Sequence, residues 1–259
     1  MTPDYKNWMP KGMVYGFLFA FLGCGTAAAA SSLFLDGTLK TVLTIAFAAI
    51  TVIFCALTIW SVCMYHAFDY HGTRQMSRQI IEGTAEYVKL PQGGKCLDVG
   101  CGSGALGIAV AKRNPGAEII GIDRWGKEYA SFSKKLCESN ARAEGVTNIT
   151  FRQGDATHLD FPDEIFDAVV SNYVYHNIPG DRQQYLLETL RTLKKGGTFA
   201  LHDIFSRSKY GDMQAFVQKL RDMGYEKVEL IDTTNGRFIT KLESVCMALS
   251  GSALLTGRK

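Results

Sequence analysis

The chain has 259 residues, a net charge of +3 and a hydrophobic fraction of 47%. This length suits one α/β domain with an appendage, and the absence of basic runs or aromatic-basic interleaving argues against a nucleic-acid partner. The seven cysteines form no C-x-x-C pair and lie at no zinc-like spacing from histidine. No metal site is therefore predicted. The thiols are interpreted as buried and reduced, with soft-metal or metalloid chemistry as the alternative.

Two long apolar runs dominate the first third of the chain. Residues 13–35 and 41–65 carry no charged side chain, and the polar turn DGTLK at 36–40 separates them. Each run exceeds the roughly 20 residues that a helix needs to cross a hydrocarbon core. After a polar N-terminal tail over residues 1–12, the sequence predicts a transmembrane hairpin over residues 13–66. The alternatives are two core helices of a soluble protein or a cleaved signal peptide.

Charges around these runs predict the orientation of the hairpin. Lys6 and Lys11 precede it and Arg74 and Arg78 follow it, whereas the turn carries only Lys40. We expect an integral membrane protein with two spans. Because positive charge concentrates on the cytoplasmic side, both termini and the following domain are expected to be cytoplasmic.

Small residues recur every four positions in the first run. Gly23, Ala27 and Ser31 are predicted to share one face and to allow close approach of the second helix. Residues 67–90 are predicted to connect the hairpin to the next domain, through a helix that Thr73 or Ser77 caps and that reaches residue 87.

The stretch 95–123 is predicted to fold as strand, glycine turn, helix and strand. Gly100, Gly102 and Gly104 follow the first strand, and the second strand ends on Asp123. Glycines at such a turn let the backbone approach a ligand, and the helix N-terminus supplies free N–H groups. An acidic residue about twenty positions later can accept hydrogen bonds from a ribose.

This glycine pattern also fits a dinucleotide-binding fingerprint if Ala105 occupies the third glycine position. Asp98 favours a different reading, because a dinucleotide fold usually has an apolar residue at that point of the strand. A carboxylate there can hold a cationic ligand or fix the loop. An NAD(P)-dependent oxidoreductase remains the first alternative.

Strands and helices alternate through the rest of the chain, which predicts a mostly parallel, doubly wound sheet covered on both faces. The predicted strands are 149–153, 166–172, 198–204, 227–232 and 252–256, and the predicted helices are 127–144, 181–193, 212–223 and 240–249, with a helix stop at 194–197.

Four separated motifs occur in the order and spacing of one family: Asp98 with the glycine turn, Asp123, Gly154-Asp155-Ala156, and the strand 166–172. Over roughly residues 89–259 the chain resembles the class I S-adenosylmethionine-dependent methyltransferases. The resemblance implies a methyltransferase domain over residues 91–259 with a seven-stranded Rossmann-like sheet that includes a late antiparallel strand. It also implies S-adenosylmethionine as the cofactor. Three side chains of the connector are expected to be part of a lid or interfacial aromatics: Phe68, Tyr70 and His71.

The resemblance also implies roles for single residues. The glycine turn would line the methionine portion of the cofactor, Asp123 would accept from the ribose, and Asp155 with Ala156 would bind the adenine. Arg124 or Trp125 would pack on the adenine ring, with plain core packing as the alternative for Trp125. The predicted cofactor-binding residues are Asp98, Gly100, Gly102, Gly104, Asp123, Arg124, Trp125, Asp155, Ala156 and Asn172.

The polar-aromatic segment 171–177 (SNYVYHN) follows the fourth strand and is expected to face the acceptor. His176 is the candidate general base, with simple packing as the alternative. Tyr173 and Tyr175 are candidates to shape the acceptor pocket, and either could instead belong to the core. His202 and Asp203 are expected to face the same cleft.

The sequence thus predicts a membrane-anchored methyltransferase that acts on a small, lipophilic acceptor. The partners expected are that acceptor and the lipid bilayer. A membrane-tethered cofactor-binding module without catalysis is the second alternative to this function.

Overall fold

The computed structural model describes residues 2–126 and 131–259, and the chain divides into two compact units. The hairpin unit is Asn7–Ser77, and the sheet unit is Arg78–Lys259 together with the residues up to Lys6. The boundary therefore falls inside the predicted connector 67–90.

The hairpin unit is built from α1 (Lys11–Phe34) and α2 (Gly37–Phe68), so the two predicted helices are confirmed as helices. At about 1.5 Å per residue they are about 36 and 48 Å long, long enough to cross a bilayer. Only 6% and 0% of their most apolar windows are buried. Both helices therefore expose a continuous apolar surface within this unit.

Three hydroxyl groups inside these apolar helices are satisfied locally. Ser31, Thr51 and Thr58 each donate to the carbonyl oxygen four residues earlier, at 2.7 Å. Such bonds remove the cost of an unpaired donor in an apolar environment.

The small-residue prediction is wrong for Gly23. A methyl group added at Gly23 would meet nothing within 4 Å, whereas one at Gly25 would lie 3.7 Å from Thr51 Cγ2. Ser31 is buried and Ala27 half-buried. A four-residue step turns about 40° beyond one full helical turn, so positions at that spacing wind off the contact face.

The sheet unit contains one seven-stranded sheet, as predicted from the resemblance. The strands are β1 (Lys95–Val99), β2 (Glu118–Asp123), β3 (Ile149–Gln153), β4 (Phe166–Asn172), β5 (Leu193–Ile204), β6 (Glu226–Asp232) and β7 (Ser252–Arg258). Their order in the sheet is β3-β2-β1-β4-β5-β7-β6. β7 pairs antiparallel with both β5 and β6, and the pairs among the first five strands are parallel.

The helices flank this sheet in the alternating order that the sequence predicts, except for a short helix after β5 that was not anticipated. They are α3 (Met76–Ala85), α4 (Ala105–Arg113), α5 (Lys134–Ala143), α6 (Arg182–Arg191), α7 (Arg207–Tyr210), α8 (Met213–Asp222) and α9 (Lys241–Cys246). The predicted helix 127–144 begins at Lys134 within the described residues, and residues 127–130 lie outside them.

Two predicted boundaries are wrong for identifiable reasons. β5 begins at Leu193 and not at 198, because Leu193 pairs with Phe166 and the Lys194 ammonium binds the Asp167 carboxylate at 2.9 Å. Residues 194–197 are therefore part of the strand and not a helix stop. Ser77 is not the N-cap of α3, because the helix already begins at Met76; the Ser77 hydroxyl donates to the Phe68 carbonyl at 2.8 Å.

The N-terminal residues join the sheet unit. The backbone of Asp4 donates to Asn140 Oδ1 at 2.7 Å and accepts from Asn140 Nδ2 at 2.9 Å. The Tyr5 ring is buried, and its hydroxyl donates to Glu144 at 3.2 Å. The predicted polar tail 1–12 is thus divided between the two units, and its first part docks on α5.

Candidate functional site

The glycine loop connects β1 to α4 with three left-handed residues: Gly100 (φ 71°), Gly102 (φ 55°) and Gly104 (φ 83°). A methyl group at Gly100 would lie 2.3 Å from a Val174 methyl. The side chain of Val174 therefore blocks the approach of a ligand to Gly100. At Gly102 the nearest atoms would be those of Phe132, at 3.9 Å. The loop therefore offers its backbone for close approach at Gly102, as a ligand cradle requires.

Asp123 connects the end of β2 to this loop. Its Oδ2 accepts from the Gly102 N–H at 2.9 Å, and its Oδ1 accepts from the Trp125 N–H at 2.7 Å. The indole of Trp125 in turn donates to the Gly102 carbonyl at 3.1 Å. Asp123 is half-buried, and each oxygen of a carboxylate can accept a further hydrogen bond. Asp123 can therefore accept from a pair of hydroxyl groups. The neighbouring side chain of Arg124 is exposed.

Asp98 fixes the loop and is 1% exposed. Its Oδ2 accepts the Gly107 N–H at 2.8 Å, in the first turn of α4. Of the two roles expected for this carboxylate, the structure thus supports bracing the helix, and its prediction as a direct cofactor ligand has no support. Burial raises its pKa to about 7, although the Gly107 hydrogen bond acts to lower it.

Asp98 should make stability depend on pH. Its pKa is raised in the folded state, so the folded protein binds the extra proton between about pH 4 and 7, and stability falls as pH rises through that window. The loss over the whole window should approach roughly 4 kcal/mol, of which about 2.5 kcal/mol falls between pH 5 and pH 7.5. Chemical denaturation at pH 5 and pH 7.5 should show this decrease in the free energy of unfolding. Asp98→Asn should remove most of the decrease, whereas Asp160→Asn, at an exposed position, should leave it unchanged. An unchanged slope in Asp98→Asn would show that other groups cause the dependence.

Helix α5 supports the loop from behind through residues that the sequence reasoning did not identify. The thiol of Cys137 donates to the Gly102 carbonyl at 3.1 Å, and Asn140 Nδ2 donates to the Ser103 carbonyl at 3.0 Å. Both side chains are buried. No local motif marks them, because more than thirty residues separate them from the loop.

The turn after β3 presents Asp155 and Ala156. Asp155 is exposed, and its Oδ1 accepts from the Thr157 N–H at 2.8 Å and the Thr157 hydroxyl at 2.7 Å. These bonds lower the pKa of the Asp155 carboxyl. Ala156 is half-buried. Their contact with an adenine stays a prediction.

The segment after β4 packs directly on the glycine loop, through the contact of Val174 with Gly100. The Asn172 side chain lies against His202, with Oδ1 2.9 Å from Nδ1. The expectation that His202 faces a cleft is wrong, because the ring is 1% exposed and its Nε2 lies 3.0 Å from the Thr233 hydroxyl. Burial lowers the pKa of His202 to about 3 and keeps the ring neutral.

The two candidate tyrosines differ in position. Tyr175 is 1% exposed, belongs to the hydrophobic core and pairs its hydroxyl with Thr189 at 2.6 Å, which contradicts its predicted place in the acceptor pocket. Tyr173 is half-buried in a left-handed conformation (φ 55°), and its ring lies edge-on to His176 at 6.0 Å. Tyr173 thus keeps a position beside the candidate base.

His176 is paired with Asp203 at the end of β5. Its Nδ1 lies 2.5 Å from Asp203 Oδ1, and the carboxylate also accepts from the backbone N–H groups of Tyr175 (2.9 Å), His176 (3.3 Å) and Ile204 (2.7 Å). The His176 side chain is 12% exposed and that of Asp203 is 1% exposed. The sequence placed Asp203 near the cleft, but it did not identify the pairing.

These groups share one edge of the sheet because β1 lies between β2 and β4. Val99 aligns with Ile122 on one side and with Ser171 on the other. The glycine loop, Asp123 and the His176 segment therefore surround the carboxyl ends of neighbouring parallel strands, where doubly wound folds bind ligands. Within residues 2–126 and 131–259, no group of three metal-ligating side chains could hold an ion.

Similarity to known proteins extends over the residues of this sheet edge. A family model described as a methyltransferase domain matches residues 90–249. Demethylmenaquinone methyltransferase of Lactobacillus johnsonii is 38% identical over 42% of this chain and 43% of its own length. The 27-O-demethylrifamycin SV methyltransferase of Amycolatopsis mediterranei is 27% identical over 67% of this chain and 62% of its own length. The chain thus spans about two-fifths to three-fifths of these curated relatives.

The crystal structure of the [4+2]-cyclase SpnF superposes with a TM-score of 0.56 at 22% identity, over 74% of this chain and 85% of that one, which shows a shared fold. The family match covers well over half of the chain and includes the glycine loop, Asp123, Asp155 and the His176 segment. The chain therefore belongs to the methyltransferase-domain family, that is, to the class I S-adenosylmethionine-dependent methyltransferases.

Proposed function

We propose that this chain transfers a methyl group from S-adenosylmethionine to a small, lipophilic acceptor at a membrane. The observation that carries the proposal is the open approach at Gly102 beside a half-buried Asp123 with accepting capacity left. A closed glycine loop or a fully engaged carboxylate would leave no room for a nucleoside.

The residues of this edge fit the cofactor. Asp123 would hold the ribose hydroxyls, the backbone at Gly102 would border the methionine portion, and Asp155 with Ala156 would bind the adenine. When bound, S-adenosylmethionine supplies a methyl group activated by a sulfonium. The protein's contribution is to align an acceptor with that methyl and to exclude water. The packing of Val174 on Gly100 supports a position for His176 on the acceptor side.

Calorimetry with the purified full-length protein should show binding of S-adenosylmethionine and no binding of NAD. Radiolabelled methyl transfer into a membrane lipid extract should then follow. NAD binding alone would favour the oxidoreductase alternative, which draws no support from the family match. Cofactor binding without transfer to any acceptor would favour the tethered module.

Two observations support a membrane location and a lipophilic acceptor. The hairpin unit exposes large apolar side chains along both helices, which water would disfavour and lipid would not. A relative that is named for demethylmenaquinone methylation supports a lipophilic acceptor related to quinones.

The docking of Asp4 and Tyr5 on α5 supports an even number of spans between these residues and the sheet unit, since it holds them on the same side of the membrane as that unit.

A cysteine at Thr38 should test the orientation. Thr38 is exposed near the start of α2, and in the proposed topology it faces the outside of the cell. In intact cells, Thr38→Cys in a background that retains only Cys246 should react with a membrane-impermeant maleimide. Cys246, which is exposed in the sheet unit, should react only after lysis and serves as the internal control. Labelling of Cys246 in intact cells, with Thr38→Cys labelled only after lysis, would show that the topology is the reverse of the one proposed.

A further inference from the structure

We infer that the acceptor carries a weakly acidic hydroxyl group, a phenol or an enol, and that Nε2 of His176 removes its proton while Asp203 holds the ring. This inference rests on the proposed function and specifies its substrate class. The paired contact between the two side chains, together with the accessible remainder of the His176 ring, carries it.

Asp203 decides which nitrogen of His176 can accept a proton. Both oxygens of the buried Asp203 side chain accept backbone N–H groups, so Asp203 is also the acceptor at the short contact and Nδ1 of His176 is the donor. In the neutral ring Nε2 then carries the lone pair. Among the described residues Nε2 makes no hydrogen bond. Proton-abstracting enzymes use this arrangement: a carboxylate holds Nδ1 of the histidine, and Nε2 is available to accept the proton.

The other titratable groups around the pair are unsuited to replace His176. The Ser252 hydroxyl donates to the Leu249 carbonyl at 2.7 Å, so the contact of Tyr173 with Ser252 at 2.8 Å uses the phenol proton of Tyr173. Burial raises the pKa of Tyr173, and burial together with the charge of Asp203 raises that of Tyr210. The Lys209 ammonium donates to the His176 carbonyl at 3.2 Å, away from the ring nitrogen.

The chemistry of the acceptor atom follows from the need for a base. A thiol with a pKa near 8.5 supplies thiolate by itself, and an arylamine, which is neutral at pH 7, attacks through a lone pair that it already has. A neutral hydroxyl is a weak nucleophile until its proton leaves. In the proposed step the O–H proton moves to Nε2, the oxygen forms a bond to the methyl carbon, and the S–CH₃ bond breaks with its electron pair left on sulfur. The products are an ether and S-adenosylhomocysteine, and the proton later passes to water.

Three probes on the same scaffold test the acceptor class: 4-octylphenol, 4-octylbenzenethiol and 4-octylaniline. Full-length protein in detergent is given radiolabelled S-adenosylmethionine with each probe, and the product is identified by mass spectrometry. The expected result is the methyl ether of octylphenol at the highest rate. Faster methylation of the thiol or the amine, or a methyl on a ring carbon, would overturn the inference and leave the proposed function standing. No cofactor binding and no methylated product at all would count against the proposed function itself.

Two variants test the residues. His176→Gln should lower octylphenol turnover by about 10²–10⁴-fold and leave cofactor affinity within about twofold, because a base acts in the transition state. The matched control His66→Gln changes an exposed histidine of α2 and should keep the wild-type rate. Full turnover in a folded His176→Gln variant would remove this histidine from the mechanism.

Asp203→Asn tests the positioning role. An amide can donate to Nδ1 and so favour the tautomer with hydrogen on Nε2, which cannot accept a proton. Turnover should fall by about 10²–10⁴-fold. If wild-type kcat/KM is measured as a function of pH, the rise expected for a general base should flatten in both variants. A merely structural role would instead lower the melting temperature and cofactor affinity and leave the pH profile of the folded fraction unchanged, which would contradict the inference.

Discussion

Gly100→Ala should abolish cofactor binding and strongly destabilise the sheet unit. The residue has φ 71°, and the new methyl group would lie 2.3 Å from a Val174 methyl and 2.7 Å from the other. The strained backbone and the overlap should together cost roughly 3 kcal/mol or more. Thermal unfolding and calorimetric titration with S-adenosylmethionine measure the two effects.

Gly102→Ala is the matched control for this experiment. Gly102 also has a left-handed backbone (φ 55°), but the nearest atoms to an added methyl lie 3.9 Å away. The stability loss should therefore be only about 1 kcal/mol, whereas cofactor affinity should still fall because the methyl fills the open approach. Normal cofactor affinity in Gly102→Ala would place the ligand elsewhere. Equal stability of the two variants would contradict the packing role of Val174.

Asp123→Ala should weaken S-adenosylmethionine binding roughly ten- to hundredfold, which corresponds to about 1.5–3 kcal/mol. The loss has two sources. The variant removes an acceptor for the ribose hydroxyls, and it also releases the Gly102 and Trp125 N–H groups that this carboxylate holds.

Asp123→Asn separates the two sources. An asparagine keeps one oxygen acceptor of similar shape, so it should preserve part of the contact to the loop and lose less affinity than alanine. Circular dichroism and melting temperature control for folding, and calorimetry measures the dissociation constant. If the folded alanine variant binds the cofactor as tightly as wild type does, Asp123 does not hold the ribose.

The architecture could be read from the chain because its signals are local. Uncharged runs longer than a bilayer predict long helices wherever they occur, and strands alternating with helices admit few arrangements other than a parallel sheet. The glycine loop was predictable for the same reason. Gly100, Gly102 and Gly104 adopt left-handed conformations that few other residues tolerate, and they lie between a buried strand and a helix.

Boundaries were less predictable, because they depend on partners distant in sequence. Leu193 extends β5 because Phe166 is there to pair with it. Gly25 approaches α2 more closely than Gly23, because positions four residues apart turn off the contact face of α1.

By itself the sequence determined the class of fold and the position of the glycine loop, and it predicted a segment on the acceptor side. Only the tertiary structure decided what each polar side chain does there. Tyr175 and His176 are neighbours in sequence. The hydroxyl of Tyr175 is buried in the core and pairs with Thr189, whereas Asp203 holds the ring of His176 at Nδ1 and, among the described residues, Nε2 makes no hydrogen bond. The physical reason is that the state of a titratable group depends on burial and on partners that only folding brings within hydrogen-bond distance.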